Sequence, residues 1–377
     1  MKLFGRKSGR VAARPALLRA PWGAATIGEW PRGYEAQVRA GYCENAVAQR
    51  AVRLIGESAG AAPLSGGTRE LALLGAGAAG QATVETAAVH LLLHGNAFIQ
   101  ILCDAGGEPA ELFALRPERV SIEADASGWP AAYIYRAGEA RERLPVRDGL
   151  GRPSLVHIRA MHPLDDHYGM GSLCAAAGAI AIHNAATRWN KALLDNAARP
   201  SGALVYEAAD GAALSGEQFD RLKAEMEAGF AGAANAGRPM LLEGGLSWQA
   251  MSLTPADMDF VGLKAAAARE IALAFGVPPM LLGLPGDNSY ANYREANRAL
   301  WRLGVLPPAG KILDGIARGL ASWWPGTALA VDLDKVPALS EDRERLWTQL
   351  SGADFLSDDE KRAMLGVTNP LPLEGEG

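Results

Sequence analysis

With 377 residues, 49% of them hydrophobic and 21% charged, the chain has the composition of a globular protein with room for two or three domains, and not that of a disordered or fibrous one. Its formal net charge of −5 argues against a protein that grips nucleic acid through a broad basic surface, and no apolar run approaches a membrane-spanning length without polar interruption. Cys43, Cys103 and Cys174 stand far apart with no C-x-x-C pair, which predicts reduced structural thiols in a cytosolic setting, without disulfides or zinc.

The chain opens with Lys2, Arg6, Lys7, Arg10, Arg14 and Arg19 and has no acid before Glu29. This stretch is Arg-rich and acid-poor like a transit peptide but lacks the apolar core of a secretory signal. It reads as a solvated arm, or as a contact arm for a neighbouring subunit or anionic partner. Residues 34–60 have helical spacing of Val38, Tyr42, Ala46 and Ile55, followed by a Gly/Ala/Pro break at 60–67. A second helix is predicted over 83–94, stopped by Gly95. The segments NAFIQILCD, AELFALRP, RVSIEA and AAYIYRAG then predict an antiparallel β region over 95–160 with hairpin-length connections. A loop, MHPLDDHYGMG, leads to a long helix over 172–197 that ends before Pro200. SGALVYE reads as a strand and LSGEQFDRLKAEMEAGF as an amphipathic helix.

The most informative stretch is 238–295. GRPMLLEGG and LSWQAM predict a β pair. A helix is then expected from about 255, with Thr254 as cap, Pro255 in the first turn and Asp257 at the positive end of the dipole. Gly276, Pro278 and Pro279 close it, giving a rod roughly 30 Å long at 1.5 Å per residue. Its charges are spread around the axis, with no single wet stripe, so it needs partners on several sides: an interdomain helix, or one packed beside copies of itself. A Gly/Pro loop follows, then a long helix over 289–324 with a kink expected at Pro307 and Pro308. ALAVDLDKV and helices near 340–350 and 358–365 close the chain, and no solenoid repeat is present.

Catalytic constellations are sparse. Gly75-Ala-Gly77-Ala-Ala-Gly80 fits a dinucleotide loop between an apolar run and a helix, with Asp104 at the distance of a ribose-binding acid, and supports a nicotinamide-dependent oxidoreductase as the rival function. Against it, the following segments are antiparallel hairpins, whereas a doubly wound sheet needs strand-helix-strand crossovers, and the tract is Ala/Gly-biased throughout. His90 and His94 are four apart on a helix but lack a third ligand, so packing or capping is the plainer role. His162, Asp165, Asp166 and His167 read as a loop that caps the next helix, or as a metal cluster. Trp301, Trp323 and Trp324 read as core residues before stacking platforms for single strands. There is no Walker A sequence and no G-x-S-x-G, so no cofactor, catalytic residue or metal ligand is expected, and any ATP-burning motor lies in another chain.

HLLLHGNAFIQI, ELFALRPERV, NAARPSGALVYE, GRPMLLEGGLSWQAMSLTPADMDF and REIALAFGVPPMLLG followed by SYANYREA occur in this order and resemble the recurrent phrases of the portal proteins of long-tailed bacteriophages, including those of gene transfer agents. The likeness runs from about residue 30 to 370. It implies an α+β portal fold: an N-terminal arm (1–30), a β-rich wing (31–170), a stem helix (171–198), a small α/β clip (199–253), a second stem helix (254–276), a tunnel loop (277–288), a long kinked helix (289–325) and a C-terminal crown or wing segment (326–377). It also implies a non-enzymatic homo-oligomeric ring, usually of twelve subunits, at one capsid vertex of a virion or gene-transfer-agent particle, assembled in the bacterial cytoplasm. Double-stranded DNA passes through such a ring during packaging and ejection. Its partners are the major capsid protein, the terminase packaging motor and the head-tail adaptor, with no membrane. The tunnel loop comprises Val277, Pro278, Pro279, Met280, Leu281, Leu282, Gly283, Asp287 and Asn288, and Lys264 and Arg269 are candidate lumen contacts on the stem, although either could instead pair with acids of a neighbouring helix. An acidic chain suits a conduit, because each phosphate neutralised adds salt-dependent affinity that would stall passage.

Overall fold

The computed structural model describes residues 33–75, 82–195, 202–206, 215–230, 246–250, 259–284 and 290–366. In chain order the helices are α1 (Tyr34–Val38), α2 (Ala46–Gly60), α3 (Thr68–Gly75), α4 (Thr83–Leu93), α5 (Ser172–Asp195), α6 (Gly216–Phe230), α7 (Phe260–Phe275), α8 (Tyr290–Ala299), α9 (Leu306–Leu320), α10 (Ser340–Ser351) and α11 (Asp358–Leu365). The strands are β1 (Leu64–Gly66), β2 (Asn96–Cys103), β3 (Pro109–Leu115), β4 (Val120–Ala124), β5 (Pro130–Ala137), β6 (Ala140–Pro145), β7 (Leu155–Arg159), β8 (Gly202–Tyr206), β9 (Leu246–Ala250) and β10 (Leu329–Val331). They divide into two units. One takes its described residues from Arg50–Ala175 and Ala274–Gly377, the other from Gly28–Gln49 and Ala176–Leu273.

The first unit holds the predicted antiparallel region, as two three-stranded sheets ordered β3-β2-β7 and β4-β5-β6. Three connections share one chemistry. In Asp104-x-x-Gly107, Asp125-x-x-Gly128 and Asp148-x-x-Gly151, the carboxylate Oδ1 accepts the amides two and four residues on, at 2.8–3.0 Å. The glycine takes φ of +79°, +84° and +77° respectively, a left-handed conformation that a Cβ would strain. The turn at 104–108 is also clamped from the C-terminal side: Trp323 Nε1 donates to Gly107 O at 2.8 Å, Trp324 Nε1 to Glu108 Oε2 at 3.0 Å, and the Arg152 guanidinium lies 5.3 Å from the Trp323 ring centroid. Both tryptophans are half-buried and hold a hairpin through their indole nitrogens.

Phe98, Leu115, Val120, Tyr133, Leu144 and Leu155 form the apolar cluster between the sheets. Helices α4 and α9 pack against the β2 side. Close approach of α9 to β7 depends on Gly315, where a Cβ would meet Ile158 Cγ1 at 2.7 Å, and on Gly319, which abuts Val156. The short β1 pairs antiparallel with β10, closing a long-range contact that no local pattern foretold.

The long helix expected over 289–324 is α8, a π-helical segment Leu300–Val305 and α9, which ends at Leu320. Its irregularity lies one turn before the predicted kink. Pro307 and Pro308 occupy the first turn of α9, where a missing amide costs nothing, and the preceding turn widens to receive them. Arg294, Arg298 and Arg302 line one side of this rod and pair with Glu341 and Asp342 of α10. Helix α11 begins with a reciprocal capping box between Ser357 and Glu360 and ends at Gly366 with φ +74°.

In the second unit the helix expected over 34–60 is broken. A π-helical segment Arg39–Cys43 follows α1, and Asn45 Oδ1 accepts the Ala48 amide at 3.0 Å to start α2. Helix α6 starts on Ser215, whose hydroxyl accepts the Gln218 amide while Gln218 Oε1 accepts the Ser215 amide. Strand β9 (LSWQA) pairs with β8 (GALVY), with Leu204 opposite Trp248. LSWQA is thus a strand as expected, and its expected partner GRPMLLEGG lies outside the described residues.

Candidate functional site

The candidate site is built by α7 and the residues after it. Helix α7 begins later than expected. Asp259 takes φ +39°, a left-handed conformation incompatible with a helix running through it, and its Oδ1 accepts the Gly262 amide at 3.0 Å as the cap. The described helix is thus the 16 residues Phe260–Phe275, about 24 Å long at 1.5 Å per residue, and Thr254, Pro255 and Asp257 lie outside the described residues. Asp259 was the hidden signal, an Asx residue directly before an Ala-rich helical run.

One face of α7 is buried, formed by Ala267, Ala268, Ile271 and Ala272. The opposite face is exposed and carries Leu273 (80% exposed) with Leu263, Ala266, Arg269 and Glu270, while Val261 (81%) is exposed at the N-terminal end, in line with Ala268 and Ala272. The helix therefore has one buried stripe, unlike the all-round distribution inferred from charge positions, and its outward face mixes Leu263 and Leu273 with Arg269 and Glu270. Lys264 is half-buried on the inner side near His183, and burial followed by the Lys264 charge holds the His183 imidazole below its usual range. Arg269 lies on the exposed face. The Trp189 ring of α5 stacks on Phe260 at 5.8 Å.

Sequence reasoning missed a buried polar knot in this unit. Asn45 Nδ2 reaches Asn184 Oδ1 at 2.8 Å and His183 Nδ1 at 3.1 Å, while Asn184 Nδ2 donates to Ala40 O at 2.8 Å. The amides tie α5 to the break between the π segment and α2, and a lone Asn before AVAQR was the only cue.

After α7, Gly276 (φ +69°) ends the helix as predicted and Val277 is buried. The expected loop is structured here. Residues Pro279–Leu282 form a 3-10 turn, Gly283 takes φ +73°, and the Gly283 and Leu284 amides return to Met280 O and Pro279 O, both at 3.2 Å. Pro278, Pro279, Met280, Leu281 and Leu282 are half-buried and Gly283 is exposed, with α8 packed against the turn. Asp287 and Asn288 lie outside the described residues.

The rival sites dissolve on inspection. Leu71–Leu74 lies inside α3, so a helix, not a strand, precedes Gly75, and residues 76–81 are outside the described part. With antiparallel sheets on either side, the phosphate-cradling strand-turn-helix unit is missing and the oxidoreductase reading is not supported. His94 Nδ1 and Nδ2 of Asn96 lie 3.0 Å apart, and the Asn96 side chain also bonds to both the amide and the carbonyl of Gly169 and to His157 Nε2. Desolvation lowers the His90 and His94 imidazoles to about 4 and His157 to about 3, so all three are neutral packing groups at neutral pH. In the 162–167 loop, Asp165 Oδ1 accepts the His167 and Tyr168 amides, His167 Nε2 meets Gly128 O at 2.8 Å and His162 Nδ1 accepts the Leu164 amide. These groups tie the loop to itself and, through His167, to the turn at Gly128, and no metal-holding cluster occurs among the described residues.

The described residues offer a rod with Leu263 and Leu273 exposed, a glycine-bounded turn and a hairpin-rich body. A family model described as phage portal protein matches residues 46–366. The chain belongs to the phage portal protein family. This portal chain is similar to the corresponding chain in the virion of a native gene transfer agent particle, with 46% identity, a TM-score of 0.69, and coverage of 92% of this chain and 96% of that one. A structure of the neck of a native gene transfer agent particle computed with C12 symmetry gives 46% identity and a TM-score of 0.68, over 92% and 97% of the two chains. A protein of Rickettsia bellii (strain RML369-C) is 42% identical over 283 residues, 74% of this portal chain and 71% of that protein.

Proposed function

We propose that this chain is the subunit of a closed ring, of twelve copies, set at one capsid vertex of a gene-transfer-agent particle, and that double-stranded DNA passes through it during filling and release. The observation that carries this reading is the 46% identity over nearly the whole chain to a chain of a gene-transfer-agent virion. The protein is mechanical and not an enzyme. Its outer contacts are the major capsid protein, a terminase motor and a head-tail adaptor.

Within that ring, residues 31–170 serve as the wing, α5 and α7 as the stem, and the β8, α6 and β9 region of 199–253 as the clip. The exposed Leu263 and Leu273 on the outward side of α7 support the stem assignment, because both are covered when copies pack side by side. Residues 277–288 act as the tunnel loop. Its presented part is Pro279–Gly283, since Val277 is buried and anchors it. Of the two stem cations, Arg269 is the better lumen candidate, since Lys264 faces His183. The long kinked helix of 289–325 backs the loop, and 326–377 forms the crown or wing segment.

Replacing 279–283 by a Gly/Ser linker of equal length tests the loop assignment. Soluble chain of unchanged oligomeric mass, with nuclease-protected DNA per particle reduced roughly tenfold or more, supports it. Unchanged DNA content contradicts it.

A further inference from the structure

The rod of α8, the π-helical segment and α9 is furnished differently on two sides. One side sends Arg294, Arg298 and Arg302 to α10. Another lines a groove of about 870 Å3 that runs between Leu303, Pro307 and Lys311 on the rod and Met161 and Met170 on the loop after β7, with Leu91 below. Leu303 is 76% exposed and Met161 75% exposed, so the mouth of this groove is apolar and open among the described residues. At its far end Lys311 and Arg318, with Asp314 between them, continue into a hollow of about 400 Å3 beside Arg159, Asp165 and Asp166. There Asp165 already accepts two amides, and Arg159 donates to the Asp166 carbonyl.

The same chain carries a matching projection. Asp354-Phe355-Leu356-Ser357-Asp358-Asp359-Glu360 joins α10 to α11, and Phe355 at its tip is 87% exposed. The projection is held firmly, by the Ser357–Glu360 capping box on one side and on the other by Arg343, which donates to Leu365 O and pairs with Asp334. It presents an apolar tip beside Asp354 and Asp358, with Asp359 paired to Arg362 at 3.2 Å, and the groove presents an apolar mouth whose far end carries Lys311, Arg318 and Arg159 beside Asp314, Asp165 and Asp166. A head-to-tail ring needs two different, complementary surfaces on every copy. Here α10, which leads to the projection, is bound to the arginine side of the rod whose other side lines the groove. We infer that the groove receives Phe355 of a second copy, with Asp358 and Asp359 of that copy set against Lys311 and Arg318. This rests on the ring reading above. An aromatic side chain buries on the order of 150–250 Å2, and twelve repeats of such an anchor are a substantial share of ring cohesion.

The test is disulfide trapping in the full chain after replacing Cys43, Cys103 and Cys174 with Ser. The L303C/F355C double variant, oxidised after assembly, should give a ladder of covalent multimers that either single variant lacks. Alongside it, F355A and K311E/R318E should each raise the concentration at which half the chains are assembled by roughly tenfold. Adding D358K/D359K to K311E/R318E should recover most of that loss. Rings that form normally but give no ladder overturn this contact and leave the ring reading standing. A fast-migrating, internally bridged monomer overturns it too, because the groove would then hold the chain's own projection. A parent chain that never exceeds a small oligomer defeats the ring reading itself.

Discussion

The surroundings of Asn96 and the outer face of α7 use opposite means to settle their side chains. The Asn96 side chain finds its partners in its own chain: the amide spans His94, His157 and Gly169, and Phe98 stacks on His157 at 4.3 Å between the sheets. On α7 the inner stripe is finished while Val261 and Leu273 are left in solvent. The first region is completed by the fold, and the second needs something beyond one chain. The contrast separates residues whose replacement should damage the subunit from residues whose replacement should damage only what the subunit builds.

The sharpest break of that contrast is Gly169→Val. A Cβ there overlaps Gly95 O and the Ala160 backbone, none of which can retreat, so the fold should lose more than about 4 kcal/mol and the chain should appear in the insoluble fraction. Acid comes next. The three imidazoles are held to about 4, 4 and 3 in the fold, against 6.5 when unfolded, so the unfolded chain takes up protons that the folded one refuses. Their contribution is complete above about pH 7 and is lost as pH falls through 6.5 towards 4, on the order of 2 kcal/mol for each imidazole at pH 5. Urea midpoints measured from pH 8 to 5 should fall steadily, and a flat profile would deny that these groups are buried neutral.

Asn96→Ala should then cost about 2–3 kcal/mol by urea unfolding, because it strands the Gly169 amide and His157 without partners. Asp125→Ala removes one hairpin cap and should cost about 1 kcal/mol, leaving the other two turns intact. Smallest for the subunit is Leu273→Gln, within about 0.5 kcal/mol in urea, since the side chain is already wet. The same variant should nevertheless weaken assembly, measured by sedimentation velocity. A large stability loss without an assembly defect would reverse the contrast.

Helix stops, hairpin strands and the two C-terminal helices were legible in the sequence because each is governed by nearby residues. Gly95, Gly276 and Gly366 each take a positive φ directly after their helices, as glycine at those positions implies. What escaped depended on distance or on competition. Strand β6 lacks the apolar alternation of a half-buried strand, being Arg-Glu-Arg before Leu144, and shows itself only through pairing with β5. Pairing of β9 with β8 across more than forty residues was hidden by a nearer apolar segment. At α7, Thr254-Pro255 and Asp259 were both competent to open a helix, and Asp259 begins the described one. At the candidate site, the turn after α7 was visible in its glycines and prolines, but the burial of Val277 and the turning of Lys264 towards His183 needed tertiary structure.

The central claim is that the outward surfaces of this subunit are completed by copies of itself. Native mass measurement of the purified full chain, with imaging of the same sample, tests it most directly. The expected result is one dominant species of about twelve subunits with a central opening. A monomer or dimer at micromolar concentration, with Val261 and Leu273 still exposed, would contradict it.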